Sequence, residues 1–394
     1  MSSRFARPLA LAGLLVVFAP VVPAQDPAAM IARIEGAQTP SRGALDGFTL
    51  QQVMDRFGVP GVSVAVIKDF AIHWAKGYGV ADVETKRPVE VNTAFQAASI
   101  SKPVTAMAAV KLAQEGRFSL DQDVNTLLNS WKVPDSEHTR TSRVTPRALF
   151  SHTSGSDDGF GFPGYAPGTP MPTPVQVIVG DKPSNTGIVS FGRPPYRAAK
   201  YSGGGTIIMQ LALTEFTGQP FAEFMQSTVL DPLGMSESSY RQPPALEREV
   251  RLARAHGGAG RRMGPPWHVY PEQAAAGLWT TPSDLARFAI EVQKAIRGPA
   301  GVVLTQAGAR EMTSPVGTGP FAVGLMIEKR GEGWYFMHGG SNWGFRCNLV
   351  AHLRKGYGVV VMTNADNGSA AISEIESRVA AAYGWDSLDK PLIR

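Results

Sequence analysis

Ser99 and Lys102, three residues apart in FQAASISKPVTAMAAVKLAQ (residues 95–114), have the types and spacing to do chemistry together. A serine hydroxyl is a weak nucleophile until a neighbouring group takes its proton, and a lysine one helical turn further on is placed to do so. The same residues also read as a serine N-cap followed by a solvent-facing lysine, so the pair needs support from elsewhere in the chain. Tyr201-Ser202-Gly203 offers a phenol, which shuttles protons where a nearby ammonium lowers the cost of the phenolate. His338-Gly339-Gly340-Ser341 offers two glycines at a strand end, which let a substrate backbone pair along the edge. They leave the Ser341 N–H free to face a cleft, where a second N–H from Ser99 completes an oxyanion hole. Taken singly, Tyr201 also reads as a helix-flanking aromatic and His338 as a strand-end histidine. The order Ser-x-x-Lys, Tyr-x-x, His-Gly-Gly over so wide a spacing is the more specific signal.

Other chemistries lack their signatures. There is no Gly-x-Ser-x-Gly elbow and no His-Glu-x-x-His, and the seven histidines show no metal-ligand spacing. YSGGGTI (residues 201–207) lacks the Lys-Ser/Thr of a phosphate-binding loop. The reading therefore calls for no metal and no organic cofactor.

The elements that must position these groups follow from patterning. Ala106, Met107, Ala109, Val110, Leu112 and Ala113 recur at helical spacing, and Pro103 is tolerable only in a first turn. Ser99 is thereby placed at or just inside a helix N-terminus, with Lys102 on the same side of that turn. Residues 61–68 and 71–82 read as two strands turning at Asp69 and Phe70. Residues 320–340 and 344–366 read as further hairpins, with turns at 330–333 and 355–358, and a last helix spans about 370–382. Between these β-rich ends, residues 201–218 read as a glycine-rich turn feeding a helix, and 219–235 as a second helix. A third covers 280–296, with Thr281 as N-cap and Pro282 at the first helical position. The architecture this implies is α+β. An antiparallel sheet is formed by both chain ends (about 45–95 and 315–385), with a mostly helical region (about 96–314) inserted and a cleft between them. The Pro/Gly-rich loop at 159–175 is a candidate cleft wall.

Composition narrows the class. The 394 residues are 43% hydrophobic and 18% charged, which describes a globular protein. The formal charge of +5 becomes +3 without Arg4 and Arg7, and no basic run interleaves with aromatics, so nucleic acid is not an expected partner. Cys347 is the one cysteine, which excludes a disulfide within the chain, and its apolar-alternating surroundings predict a buried strand thiol. Arg4, Arg7, the apolar run 9–22 and the small residues at 22–24 predict a signal peptide over residues 1–24, cut before Gln25. A membrane anchor is the alternative, but Pro20 and Pro23 interrupt a run shorter than the roughly 20 residues a span needs. The expectation is export, to the periplasm or outside, with no stable membrane span after cleavage.

With these motifs in register, the chain resembles the serine β-lactamase-related superfamily: class C β-lactamases, low-molecular-weight D,D-peptidases and family VIII carboxylesterases. The likeness extends from about residue 45 to 385 and includes LFSHTSG (149–155), TGQPFAEFMQSTVLDPLGM (217–235), AAGLWTTPSDLARF (275–288) and HGGSNWGF (338–345). It implies a β-lactamase/transpeptidase-like fold, with Ser99 as acylated nucleophile and Lys102 as its proton acceptor or activator. Tyr201 is then the partner general base and later the acid toward the leaving group, and His152 a structural turn residue. The family's third motif usually begins with lysine, which helps hold a substrate carboxylate. Here it is His338, only partly charged near neutral pH, so carboxylate binding is expected to be weaker or pH-dependent. The second motif often ends in asparagine; Gly203 offers no such grip on a substrate amide. These departures favour small esters, amides and D-amino-acid peptides, as for an esterase, D-aminopeptidase or carboxypeptidase, over β-lactams. Trp343 and Arg346 are expected to line the acyl pocket, with Arg346 in place of the lost carboxylate contact. The competing class is a catalytically silent relative that binds cell-wall peptides or a partner protein.

Overall fold

The computed structural model describes residues 25–39, 45–158, 161–299, 301–331 and 333–385; the leader read in residues 1–24 lies outside them. Strands β1 (Gly61–Lys68) and β2 (Ala71–Gly79) form a hairpin closed by Asp69 and Phe70, both at positive φ (51° and 61°). Such a turn carries the twist that suits two right-handed strands. β2 stops at Gly79 rather than reaching Asp82, because Gly79 takes a left-handed φ of 67° and the Val80 N–H turns to Pro60 O. A two-residue ladder, β3 (Phe95–Gln96) with β4 (Trp279–Thr280), ties the nucleophile segment to the far side of the helical region.

The remaining strands are β5 (Met326–Arg330), β6 (Gly333–Asn342), β7 (Phe345–His352) and β8 (Gly358–Thr363). Among the described residues they complete a six-stranded antiparallel sheet in the order β2-β1-β8-β7-β6-β5. β8 lying against β1 joins the two chain ends, as patterning predicts. β5 begins six residues later than the apolar run from Pro320 suggests. Gly324, at φ 89°, interrupts the extended chain there and approaches Ala106 and Pro103 so closely that a Cβ would lie 2.5 Å from the Ala106 methyl.

Both faces of the sheet are covered, which is why β1 and β8 read as continuous apolar runs rather than alternating ones. Val62, Val64, Val66, Val359 and Val361 pack under the helices Pro27–Glu35, Leu50–Phe57 and Ser369–Tyr383. Ala65, Ile67, Leu349, Val360 and Met362 face the larger core shared with the helical region. The helix Pro282–Arg297, capped by Thr281 accepting from the Asp284 N–H, lies across that second face. The predicted helix over 219–235 is an α-turn (Phe221–Met225) widening into a π-turn (Gln226–Leu230). Among the described residues no helix is long and apolar enough to cross a membrane, and no cluster of His, Cys, Asp or Glu is arranged to hold a metal.

Candidate active site

The nucleophile turn is a short 3₁₀ segment, Ala98–Ile100, running into the helix Ser101–Gln114. Ala98 sits at φ 48°, a region disfavoured for residues with a Cβ and tolerated only where the surroundings fix it. Here Ser101 fixes it, donating from Oγ to Ala98 O (2.6 Å) and accepting from the Leu278 N–H (3.0 Å). Lys102 is buried, at 3% exposure, and its Nζ lies 3.0 Å from Ser99 Oγ and 2.9 Å from Ala275 O. No carboxylate pairs with it among the described residues. Lys102 is thus not a solvent-facing residue beside a capping serine: it is buried and tied to Ser99.

Tyr201 stands at the mouth of the helix Gly204–Thr217, with its ring 5.1 Å from Lys102 Nζ. His152 stacks on that ring (centroids 4.4 Å apart), while Phe321 and His338 approach to 6.0 and 6.1 Å. The Tyr201 hydroxyl has no hydrogen-bond partner among the described residues, and the residue is 38% exposed to the cleft side. His152 carries a positive φ of 58°, and its Nδ1 accepts the Ser202 N–H (3.2 Å), so its proton resides on Nε2. Burial first, then Lys102 and His338, hold its pKa well below the ordinary histidine value. At Gly203 the place for a side chain is taken: a Cβ would lie 2.5 Å from the Phe162 ring. The absent asparagine is thus matched by a neighbour that fills its position.

β5 pairs with β6 only as far as Met337, which leaves His338–Asn342 as an edge along the cleft. The two-residue hairpin at Trp343 and Gly344 makes Asn342 and Phe345 the hydrogen-bonded pair, and alternation then turns the Gly339 and Ser341 N–H groups outward. Gly340 lies on the inner face, against the nucleophile turn. A Cβ there would be 2.3 Å from Ala97 O and 2.4 Å from Cys347 Sγ, whose thiol donates to the same carbonyl. Burial pushes that thiol above its ordinary range, in keeping with an inert core cysteine.

His338 departs from expectation. It is 6% exposed, its Nδ1 donates to Gly339 O (2.7 Å), and its Nε2 lone pair has no partner among the described residues. Burial, then the charge of Lys102, push its pKa down to about 4, against a smaller upward pull from the Gly339 carbonyl. The ring is uncharged at neutral pH rather than partly charged, and His338 itself offers a carboxylate no cation. Arg346 does face the cavity, but its Nη1 donates to Asn342 O and Phe345 O (2.7 Å each) and lies 3.1 Å from an Asp366 oxygen. Trp343 lies outside the cavity lining, its indole stacked on His268 with centroids 4.1 Å apart.

The cavity so formed has a volume of about 600 Å³ and is lined by Ser99, Tyr201, the run from His338 to Ser341, and Arg346. The segments supplying them lie far apart in sequence and meet only through the fold. Phe321, Ser369 and Ser373 also line it, and Ala275 supplies the carbonyl behind Lys102. Ala275 opens the stretch 275–288 singled out in the sequence, whereas Phe321, Ser369 and Ser373 sit in no spacing that marks them.

A family model described as Beta-lactamase matches residues 49–383. Protein flp of Staphylococcus aureus is 23% identical over 325 residues, which cover 78% of this chain and 60% of that protein. The chain thus spans about 60% of the length of the first curated relatives it matches. Among solved structures, the octameric penicillin-binding protein homologue from Pyrococcus abyssi superposes with a TM-score of 0.70 at 23% identity, covering 87% of this chain and 77% of that one. D-amino acid amidase from Ochrobactrum anthropi, solved with D-phenylalanine, gives 0.65 at 23% identity, covering 85% and 98%.

Proposed function

Because the chain belongs to the β-lactamase family, we propose that it is a serine hydrolase cleaving small esters and D-amino-acid amides through an acyl-enzyme on Ser99. One observation carries this reading: a buried Lys102 Nζ 3.0 Å from Ser99 Oγ, at a cavity edged by outward-facing backbone N–H groups. Ser99 Oγ attacks the substrate carbonyl while its proton passes to the Lys102–Tyr201 pair. The N–H groups of Ser99 and Ser341 stabilise the oxyanion, a contribution worth roughly 10²–10³ in rate per donor. Tyr201, over the same cavity, passes a proton to the departing alkoxide or amine and is replenished from Lys102. Water then enters against the ester carbonyl, and the transfers run in reverse to release Ser99.

The substrate preference rests on what the cleft lacks. An uncharged His338 supplies no cation for a leaving-group carboxylate, and Gly203 supplies no side chain for a substrate amide. Both omissions rank neutral esters and amides ahead of β-lactams. Likeness to a D-amino acid amidase supports the D-configured amide as a substrate class. Hydrolysis of p-nitrophenyl butyrate and D-phenylalanine amide by the wild type and by Ser99→Ala tests the proposal. Turnover that disappears in the variant supports it, and turnover that survives overturns it. We further propose that the protein is exported and cut before Gln25; an N-terminus other than Gln25 on protein recovered from the periplasm would contradict that site.

A further inference from the structure

We propose that Asp158 is a positioning residue that fixes where the Tyr201 hydroxyl meets the leaving group, an inference that rests on the role proposed for Tyr201 above. Tyr201 lies two residues before the helix cap, and Gly203, the N-cap, has no side chain with which to bond the first turn. Asp158 supplies what is missing from 44 residues away. Its Oδ1 accepts from Ser202 Oγ (2.6 Å) and its Oδ2 from the Gly204 N–H (3.0 Å). Ser202 Oγ in turn accepts from the Gly205 N–H (2.8 Å). A carboxylate at this place also complements the positive end of the helix.

The residue on the other side of Tyr201 is tied to the same segment. Lys200 donates its N–H to His152 O (2.8 Å), and its ammonium pairs with Asp157. His152 completes the hold, with its ring under Tyr201 and its Nδ1 on the Ser202 N–H. The stretch from His152 to Asp158 therefore grips the backbone before and after Tyr201. The glycines fit this arrangement: a Cβ on Gly204 would lie 3.2 Å from Asp158 Cγ and 2.3 Å from a Val189 methyl.

A plain capping role would make Asp158 a stability residue and nothing more. The helix argues against that, because residues from Gly204 to Leu213 are all buried and packing holds them whether or not the first turn is capped. What the carboxylate adds to the hold of His152 is a fixed path for the chain from Ser202 to Gly204, and with it the reach of the neighbouring phenol.

The two roles separate on leaving groups. p-Nitrophenolate departs without a proton, whereas an amine or an alkoxide needs one, and a well-placed general acid is worth roughly 10²–10⁴ in rate. Asp158→Ala is expected to lower the single-turnover acylation rate on D-phenylalanine amide by about 100-fold and the acylation burst of p-nitrophenyl butyrate by less than about threefold, because only the amide's leaving group needs the proton in that step. Asp158→Asn keeps one acceptor oxygen and is expected to fall between. Ser202→Ala, which removes the other half of the contact, is expected to show the same split and serves if Asp158→Ala fails to fold. Equal losses on both substrates in these variants, or no loss on the amide, would overturn the clamp alone. A wild type with no Ser99-dependent turnover of either substrate would overturn the hydrolase reading and the clamp with it.

Discussion

Adding one methyl group at Gly340 tests how the catalytic cleft is assembled. β6 approaches the nucleophile turn so closely at this residue that the new Cβ would lie 2.3 Å from Ala97 O, 2.4 Å from Cys347 Sγ and 3.1 Å from Ala98 Cβ. Two of these atoms belong to backbone or near-backbone positions one and two residues before Ser99, where no flexible side chain can swing away. Relief to an ordinary contact of 3.4 Å requires strand and turn to separate by about 1 Å. That movement widens the gap between the Ser341 and Ser99 N–H groups that the oxyanion is proposed to bridge. A 1 Å misplacement near the reacting atoms costs about 100-fold, and overpacking of this kind costs about 1–3 kcal/mol of stability. Gly340→Ala should therefore lose about 100-fold in kcat on p-nitrophenyl butyrate while remaining folded at room temperature, with a lowered Tm. Gly339→Ala is the control: its Cβ would meet nothing closer than 3.5 Å, and the variant should stay within about threefold of wild type. Steady-state kinetics and thermal melts on both variants decide the matter. Wild-type turnover by Gly340→Ala would refute the claim that this close approach sets the oxyanion geometry.

Two further outcomes follow from the charges around the cleft. An unfolded histidine titrates near 6.5 and His338 near 4, so on acidification the unfolded chain takes up the proton first. Its contribution to stability is present above pH 6.5 and is lost as pH falls toward about 4, to the extent of roughly 3 kcal/mol. Urea unfolding at pH 7 and pH 4.5 should therefore show a larger acid loss for wild type than for His338→Gln, and equal losses would contradict the buried neutral ring. Arg346→Ala should lower kcat/KM about tenfold for substrates bearing a carboxylate and leave neutral esters unchanged. An unchanged kcat/KM for carboxylate-bearing substrates would remove Arg346 from the binding account.

The types and spacing of Ser99, Lys102, Tyr201, His338 and Ser341 carry their chemistry in the sequence because each lies at an element end that local signals mark: a proline in a first turn, a glycine run before a helix, two glycines closing a strand. The sheet was legible for the same reason, since both hairpins flanking its centre declare themselves by alternation and turns. The misread parts depend on neighbours distant in the chain. β5 starts late because Gly324 meets Ala106, and β2 stops early because Val80 turns to Pro60. The charge of His338 is set by its burial and by Lys102, which no window around residue 338 contains. Trp343 reads as a pocket residue from its place after the third motif, yet His268 takes its ring instead. Asp158 lies in no motif and Ser101 at an unspecified position of Ser-x-x-Lys, and their importance is visible only once the turns they hold are brought to them.

The central claim is that Ser99 is acylated. The most direct measurement mixes the protein with p-nitrophenyl butyrate, quenches in acid within the first turnover, and maps the adduct by peptide mass spectrometry. The account predicts a butyryl mass on the peptide containing Ser99, absent from Ser99→Ala and accumulating in step with the released p-nitrophenolate. Release of p-nitrophenolate with the butyryl group on another residue, or with no adduct while Ser99→Ala turns over normally, would contradict it.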